Sequence, residues 1–143
     1  MTIHIENLTS IDVQTAEAFK RLIPQLVNRE DYPSIEELRQ TVSSDNIRLL
    51  VAKDGDNIVG SLTVVLYLIP TGKKAIIEDV VVDEKARGKG VASQLMKAAI
   101  KVAREGGARK IELTSRPSRI AANRMYLKYG FEIRDTNFYR LDL

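Results

Sequence analysis

The stretch IIEDVVVDEKARGKGVA, residues 76–92, decides the fold. A β-branched run ending at Val82 enters a glycine-rich loop, Arg87-Gly88-Lys89-Gly90, and an amphipathic segment leaves that loop at Val91. A strand that passes through such a loop into a helix presents backbone N–H groups at the positive end of the helix, where phosphate is stabilised. The stretch therefore predicts a site for a phosphorylated ligand.

The composition narrows the chemistry that this site can use. A chain of 143 residues fits one domain, so we expect a single domain over residues 1–143. With no cysteine and one histidine, His4, the sequence predicts no disulfide, no cysteine nucleophile and no metal site. Because no apolar run is long enough to span a bilayer and the N-terminus does not resemble a signal peptide, we expect a cytoplasmic protein that does not bind membranes.

Charge is distributed unevenly along the chain. Residues 1–72 carry 6 basic and 10 acidic side chains, net −4, whereas residues 73–143 carry 16 and 9, net +7. The basic half indicates a polyanionic partner, either a phosphorylated small molecule or a nucleic acid, unless its charges only solvate helix faces. Aromatic residues do not alternate with these charges and no nucleic-acid-binding motif is recognised, so we expect no nucleic-acid partner.

Hydrophobic periodicity predicts a mixed α/β (α+β) domain around a mostly antiparallel central sheet of about seven strands, in the order β α α β β β α β α β β. The predicted strands are residues 2–6, 47–53, 58–69, 75–82, 110–114, 131–134 and 138–143. Four helices are predicted. The first is capped by Ser10 and kinked or broken at Pro24, and the second is capped by Ser34 in a capping box with Glu37. The third runs from Val91 to the Gly106-Gly107 pair, and the fourth covers 119–129. Along the third helix, Val91, Leu95, Ala98 or Ala99, and Val102 form the predicted apolar stripe.

Three phosphate-binding interpretations of the glycine loop compete. A dinucleotide fingerprint needs a third glycine where Ser93 stands, and a Walker loop needs Gly-Lys-Ser or Gly-Lys-Thr, which the sequence lacks. The pattern Arg-x-x-Gly-x-Ala remains, with glycine allowing a pyrophosphate to approach the backbone closely. An ordinary strand-to-helix turn is the alternative.

Two blocks resemble the GNAT superfamily of acetyl-CoA-dependent N-acetyltransferases. Residues 77–92 look like the cofactor strand and pyrophosphate loop of that family, and residues 122–131, ANRMYLKYGF, look like its Ala-x-x-x-Tyr-x-x-x-Gly-Phe element. The resemblance implies acetyl-CoA as co-substrate, a sheet splayed between the fourth and fifth strands, and pantetheine lying in the gap.

The resemblance also assigns cofactor contacts. Backbone groups of the fourth strand would complete their hydrogen bonds with pantetheine amides, and N–H groups of the loop and helix start would take the pyrophosphate, with Arg87 and Lys89 adding charge. Asn123 is a candidate for the pantetheine arm or else a solvated polar residue. The predicted cofactor-binding residues are Val80, Val81, Val82, Arg87, Gly88, Lys89, Gly90, Val91, Ala92, Ser93 and Asn123.

Direct transfer to an amine, without a covalent acyl-enzyme, calls for a general base and a general acid. Tyr126 matches the tyrosine of the family and is the candidate acid, with helix packing as its alternative role. Glu78 is the favoured base because a period of two places it on one face with Val80 and Val82. Asp79 is the second candidate for the base, because a bulge in the strand would exchange the faces on which Glu78 and Asp79 lie. Water is a third candidate.

The acceptor is less defined than the donor. We expect the primary amine of a small molecule or of a peptide, with a cationic acceptor favoured by the acidic first half. The family often has asparagine where Arg119 stands here, so Arg116 and Arg119 are candidates for the 3′-phosphate of CoA or for an acidic acceptor. A non-catalytic acyl-CoA-binding regulatory module is the alternative function, and a homodimer stays open.

Overall fold

Five strands and four helices form within residues 1–27 and 30–143, the part of the chain that the computed structural model describes. These residues group into two compact units, Met1–Leu113 and Thr114–Leu143. The elements are β1 (Ile3–Leu8), α1 (Val13–Val27), α2 (Ile35–Ser43), β2 (Ile47–Asp54), β3 (Asn57–Ile69), β4 (Gly72–Val82), α3 (Val91–Glu105), β5 (Ile111–Glu112) and α4 (Ile120–Lys128).

The sheet belongs to the first unit, and its strands follow the order of the chain from β1 to β5. Neighbours from β1 to β4 pair antiparallel, whereas β5 runs parallel to β4. This confirms the mixed, mostly antiparallel sheet. Only Ala75 and Ile76 of β4 pair with β5, so from Ile77 to Val82 the strand is paired with β3 alone in the described sheet. The stretch is one-sided because β5 has only two residues, and the splay between β4 and β5 stays a prediction.

Helices cover both faces of the sheet. Val51 and Val81 share a buried cluster with Phe19 and Leu22 of α1, which therefore packs on one face together with Leu38 of α2. On the opposite face, a Cβ at Gly60 would lie only 3.1 Å from Val91 Cγ1 and 3.3 Å from Leu95 Cδ1. The absence of a side chain at Gly60 thus lets the first turns of α3 approach β3 closely.

Helix boundaries confirm some predictions and correct others. The capping box at Ser34 is confirmed: the Glu37 N–H donates to Ser34 Oγ and the Ser34 N–H donates to Glu37 Oε1, each at 3.1 Å. The cap of α1 is Asp12 rather than Ser10, because its carboxylate accepts the Thr15 N–H at 2.7 Å. Pro24 lies inside α1 and does not end it. Helix α3 buries Met96 and Ala103 in addition to Val91, Leu95 and Ala99, whereas Ala98 and Val102 are only partly buried.

The two strands predicted after Gly130 are wrong. Residues 131–143 have no strand in the described structure, and β5 spans two residues instead of five. Apolar side chains that alternate along this segment stay exposed, including Ile133, Phe138, Leu141 and Leu143. Strand propensity reflects packing against neighbouring strands, so alternation alone does not form a strand without a partner.

The close approach at Gly60 leads to a stability prediction. Because a Cβ there would also lie 3.1 Å from the Val81 carbonyl oxygen, Gly60→Ala is expected to lower the free energy of unfolding by about 1–3 kcal/mol. Thermal and urea unfolding measure this. The double variant with Val91→Ala, which removes one crowding methyl, should lose less than the sum of the single variants; strict additivity would show that the contact is not the cause.

Candidate active site

Strand β4 carries a bulge where the candidate bases lie. Thr63 pairs with Glu78 and Ser61 pairs with Val81, so Leu62 alone lies opposite Asp79 and Val80. Asp79 has a φ of +52°, the left-handed region, and is the one described residue other than glycine with a positive φ. Bulges of this kind re-aim side chains and are frequent next to active sites.

The bulge corrects the predicted faces. Opposed residues of antiparallel strands lie on the same face, so Glu78 shares a face with Val81, and Val82, which pairs with Gly60, lies on the other. Grouping Glu78 with Val82 by a period of two was therefore wrong, since that period does not continue through a bulge. Glu78 lies on the face that α1 and α2 cover, away from α3.

The environment of Glu78 suits a base. Its side chain is exposed, yet partial desolvation of the carboxyl raises the pKa of Glu78 above the ordinary 4.5, and the neighbouring Asp79 carboxylate raises it further. Both causes act in the same direction because each disfavours the charged form. A carboxylate with a raised pKa holds an abstracted proton more strongly, as a general base near neutral pH requires.

The glycine loop lies between β4 and α3. After a short 3₁₀ turn, Glu84–Ala86, the backbone reaches Gly88 with a φ of +76° and Gly90 with a φ of +80°. A Cβ at either glycine would meet nothing within 4 Å. The loop is thus open on the side where side chains are missing, and Arg87 bends back to donate from Nε to the Val82 carbonyl at 3.2 Å.

Gly90 is also the N-cap of α3 and provides no side-chain cap. The Gln94 N–H donates to the Gly90 carbonyl at 3.1 Å, so the N–H groups of Val91 and Ala92 precede the first bond within the helix. The Val91 side chain is buried in the core, which leaves its backbone for a ligand. Ala92 and Ser93 are half-buried, and Lys89 is exposed. An open loop at an uncapped helix start, beside a one-sided strand, fits a diphosphate joined to an extended amide chain.

Asp83, which sequence reasoning did not single out, begins this loop and is 6% exposed. Its carboxylate accepts from the Lys85 N–H at 3.2 Å and from Arg21 Nε at 3.0 Å. Burial alone would raise the pKa of Asp83, but these donors bind the charged form and hold that pKa below its ordinary value of 3.8. The sequence does contain one signal for Asp83, because an aspartate ahead of a short helical turn is a common cap. Its pairing with Arg21, 62 positions earlier, cannot be predicted from the sequence.

The second unit holds Tyr126, which is buried. Helix α4 ends in a Schellman motif: the Gly130 N–H donates to the Leu127 carbonyl and the Phe131 N–H to the Tyr126 carbonyl, both at 3.0 Å. Gly130, with a φ of +96°, makes this reversal, and the Phe131 ring then meets the Tyr126 ring edge-on at 6.0 Å. The Tyr-x-x-x-Gly-Phe spacing therefore fixes the tyrosine ring.

Polar residues ahead of Tyr126 have local roles. Asn123 Nδ2 donates to the carbonyls of Arg116 at 2.9 Å and Arg119 at 2.8 Å, which ties the preceding loop to α4 and leaves its carbonyl oxygen for other contacts. Arg116 and Arg119 are exposed. Ser115 Oγ is buried and has no hydrogen-bond partner among the described residues. A buried hydroxyl without a partner is costly, so Ser115 is a further candidate for a ligand contact.

The first unit has two shallow grooves, and the second of them borders the start of the loop at Asp83. One, of about 390 Å³, separates α1 from α2 and is lined by Val13, Ala16, Glu17, Lys20, Tyr32, Ser34 and Ile35. The other, of about 410 Å³, is lined by Met1, Arg21, Asp54, Asn57, Val59, Asp83, Lys85 and Ala86. Neither groove includes residues 77–82 of β4, whose outer edge has no strand partner in the described sheet.

Residues 1–27 and 30–143 contain neither a cluster of metal ligands nor a membrane-spanning helix. No group of three or more histidine, cysteine, aspartate or glutamate side chains there is arranged to hold a metal ion. None of the helices in that part of the chain has the length and apolar character to cross a bilayer.

Comparison with known proteins identifies the family. Residues 13–131 match the model of the acetyltransferase (GNAT) family. The chain therefore belongs to this family, and the resemblance of the two sequence blocks is confirmed. No curated protein matches the chain in sequence.

Solved structures share the fold over nearly the whole chain. A transcriptional regulator from Bacillus halodurans C-125 is 29% identical, with a TM-score of 0.82 over 99% of this chain and 100% of that one. An acetyltransferase from Trypanosoma brucei is 26% identical, with a TM-score of 0.80 and coverages of 99% and 100%. An aminoglycoside acetyltransferase from an uncultured soil metagenomic sample, at 22% identity, reaches a TM-score of 0.84 over 99% and 97%.

Proposed function

We propose that the protein is an N-acetyltransferase that moves an acetyl group from acetyl-CoA directly to a primary amine of a small molecule or peptide. The observation that carries this proposal is the one-sided stretch of β4, residues 77–82, which leads through Gly88 and Gly90 into an uncapped helix start. Unpaired strand amides suit pantetheine, and the helix start suits the diphosphate. Ser115, with its unsatisfied hydroxyl, is a further candidate contact.

The chain supplies the two proton transfers. Acetyl-CoA, when bound, supplies the acetyl group as a thioester. The Glu78 carboxylate takes the proton that the acceptor ammonium loses before its nitrogen forms the new C–N bond. The Tyr126 hydroxyl gives a proton to the sulfur as the C–S bond breaks, and the second proton, which the nitrogen loses as the amide forms, restores the Tyr126 phenol, so that the proton on Glu78 is the one released to solvent. Asp79 takes the role of base if Glu78 does not. The raised pKa of Glu78 supports its assignment as base.

The acceptor is proposed from charge and from the face that Glu78 occupies. Helices α1 and α2 cover that face and together carry no net charge, while residues 1–72 as a whole have a net charge of −4. The acidic balance of this half of the chain favours a cationic amine, such as a polyamine, an aminoglycoside or a protein lysine. The similarity of fold to an aminoglycoside acetyltransferase supports testing aminoglycosides early.

The test is release of free thiol from acetyl-CoA in the presence of a panel of these amines. If the protein is an acetyltransferase, at least one amine of the panel will be acetylated, with one thiol released for each amide formed. The second candidate, an acyl-CoA-binding regulatory module, is favoured by the structural similarity to a transcriptional regulator. It predicts tight binding of acetyl-CoA with no thiol released by any amine of the panel.

Tyr126→Phe tests the general acid. The substitution keeps the buried ring that packs on Phe131 and removes only the hydroxyl, so kcat should fall by about 10²-fold while acetyl-CoA binding changes little. Steady-state kinetics and calorimetry on the same samples measure the two effects. Tyr129→Phe, three residues along the chain, is the matched control; equal kcat in Tyr126→Phe and the parent protein would remove Tyr126 from the mechanism.

A further inference from the structure

Helix α1 is bonded to the first residues of the glycine loop by two side chains. Arg21 Nε donates to Asp83 Oδ2 at 3.0 Å, and Gln25 Oε1 accepts from the Glu84 N–H at 2.9 Å. Gln25 in turn donates from Nε2 to the Arg21 carbonyl at 3.1 Å. Two successive loop residues are therefore held by side chains one helical turn apart.

The same arginine also holds the β2–β3 hairpin. Arg21 Nη2 donates to the Ile58 carbonyl at 2.7 Å, while the Asp83 N–H donates to the Val59 carbonyl at 2.8 Å. The carboxylate and the N–H of Asp83 are thus both hydrogen-bonded, and the adjacent carbonyls of Ile58 and Val59 each accept one of the bonds that hold them in place. The 3₁₀ turn that follows begins from this fixed point and ends directly before Arg87 and Gly88.

Exposure indicates what these contacts do. The Arg21 side chain is 47% exposed but the Asp83 side chain is only 9% exposed, so loss of Arg21 would take one donor from a nearly buried carboxylate and lower folding stability to some extent. The Arg21 guanidinium donates from two nitrogens to two acceptors on different parts of the chain, the Asp83 carboxylate and the Ile58 carbonyl, and the planar fork of arginine fixes the relative orientation of such acceptors. We therefore expect Arg21 to set the position of the loop in addition to its contribution to stability, and the two effects have to be measured separately.

We propose that Arg21 and Gln25 are positioning residues that hold the glycine loop in the shape that takes the diphosphate of acetyl-CoA. The inference rests on the proposed function. It predicts that α1, on the acceptor face, sets the affinity for the donor through Asp83 and Glu84. Neither residue acts on the acetyl group.

The test compares Arg21→Gln with Arg39→Gln. Arg39 is the control for loss of a half-exposed arginine with two acceptors: it lies on α2, is 50% exposed, forms an ion pair at 2.9 Å with the exposed Glu36 and donates to the Ile11 carbonyl. Arg21→Gln should raise the Kd and KM for acetyl-CoA by about 10-fold and change kcat by less than about twofold, whereas Arg39→Gln should change neither. Arg21→Lys keeps the positive charge but has a single nitrogen in place of the two that donate in Arg21, so its affinity for acetyl-CoA should lie between those of Arg21→Gln and the parent protein.

A truncated donor separates positioning from general damage. S-acetylpantetheine lacks the diphosphate, so its KM should be the same for Arg21→Gln and the parent protein. A loss of equal size with both donors, or a fall in thermal stability that accounts for the loss, would overturn the proposal. An unchanged Kd for acetyl-CoA in Arg21→Gln would overturn it as well. Failure of the parent protein to bind acetyl-CoA would instead contradict the proposed function.

Discussion

Gly90→Glu is expected to weaken acetyl-CoA binding by more than about 100-fold, which calorimetry measures directly. A Cβ at Gly90 would extend into open space, so in the free protein the new carboxylate fits without a clash. That space is where the proposed diphosphate approaches the N–H groups of Val91 and Ala92. The glutamate would both occupy it and repel the ligand, since anions bound at a helix start depend on the positive end of the helix.

Gly55→Glu is the matched control for this substitution. Gly55, in the β2–β3 turn, also has a positive φ, +62°, and also has nothing within 4 Å of an added Cβ. Both variants therefore carry a similar backbone strain, about 1–2 kcal/mol, and the same added charge. Both should show similar thermal stability, and only Gly90→Glu should lose affinity. Retained affinity in Gly90→Glu would exclude the loop as the diphosphate site.

Glu78→Gln is expected to lower kcat/KM for the amine by about 10³-fold at neutral pH, because the amide keeps the shape of the side chain and cannot accept the proton. Acetyl-CoA affinity should be unchanged. Asp79→Asn is the matched control, since asparagine tolerates the left-handed backbone that Asp79 adopts at φ +52°. A large loss in Asp79→Asn with none in Glu78→Gln would exchange the two roles.

The pH profile gives an independent readout of Glu78. A base works when deprotonated, so kcat/KM of the parent protein should rise with pH through a pKa above 4.5, and Glu78→Gln should lack this rise. Removing the Asp79 charge should move the rise to lower pH. The sign is opposite for stability: the folded protein keeps this proton to higher pH than the unfolded chain, so the stabilising contribution of Glu78 decreases as pH rises through the same range. A rise in kcat/KM that is unchanged in Glu78→Gln would assign it to another group.

Sequence predicted the parts of the site that depend on local chemistry. The glycines at 88 and 90, the start of α3 and the Gly130 reversal are each encoded within a few residues, because only glycine adopts a positive φ readily. The bulge at Asp79 was not predictable, since it arises where β3 provides one residue for two of β4. The Arg21–Asp83 pair depends on how α1 packs. Residues 131–143 show the opposite case, in which a strong local pattern predicted strands that the structure lacks.

Two parts of strand β4 should differ in how strongly their amide protons are protected from exchange. Ala75 and Ile76 are bonded on both sides, by β3 and β5, so their amide protons should exchange with deuterated solvent only when the sheet opens as a whole. From Ile77 onward, amides that point away from β3 can exchange through small local fluctuations. The half of the strand that is least protected in the free protein is the half that a donor molecule would cover, so occupancy of the site can be followed residue by residue without an assay for product.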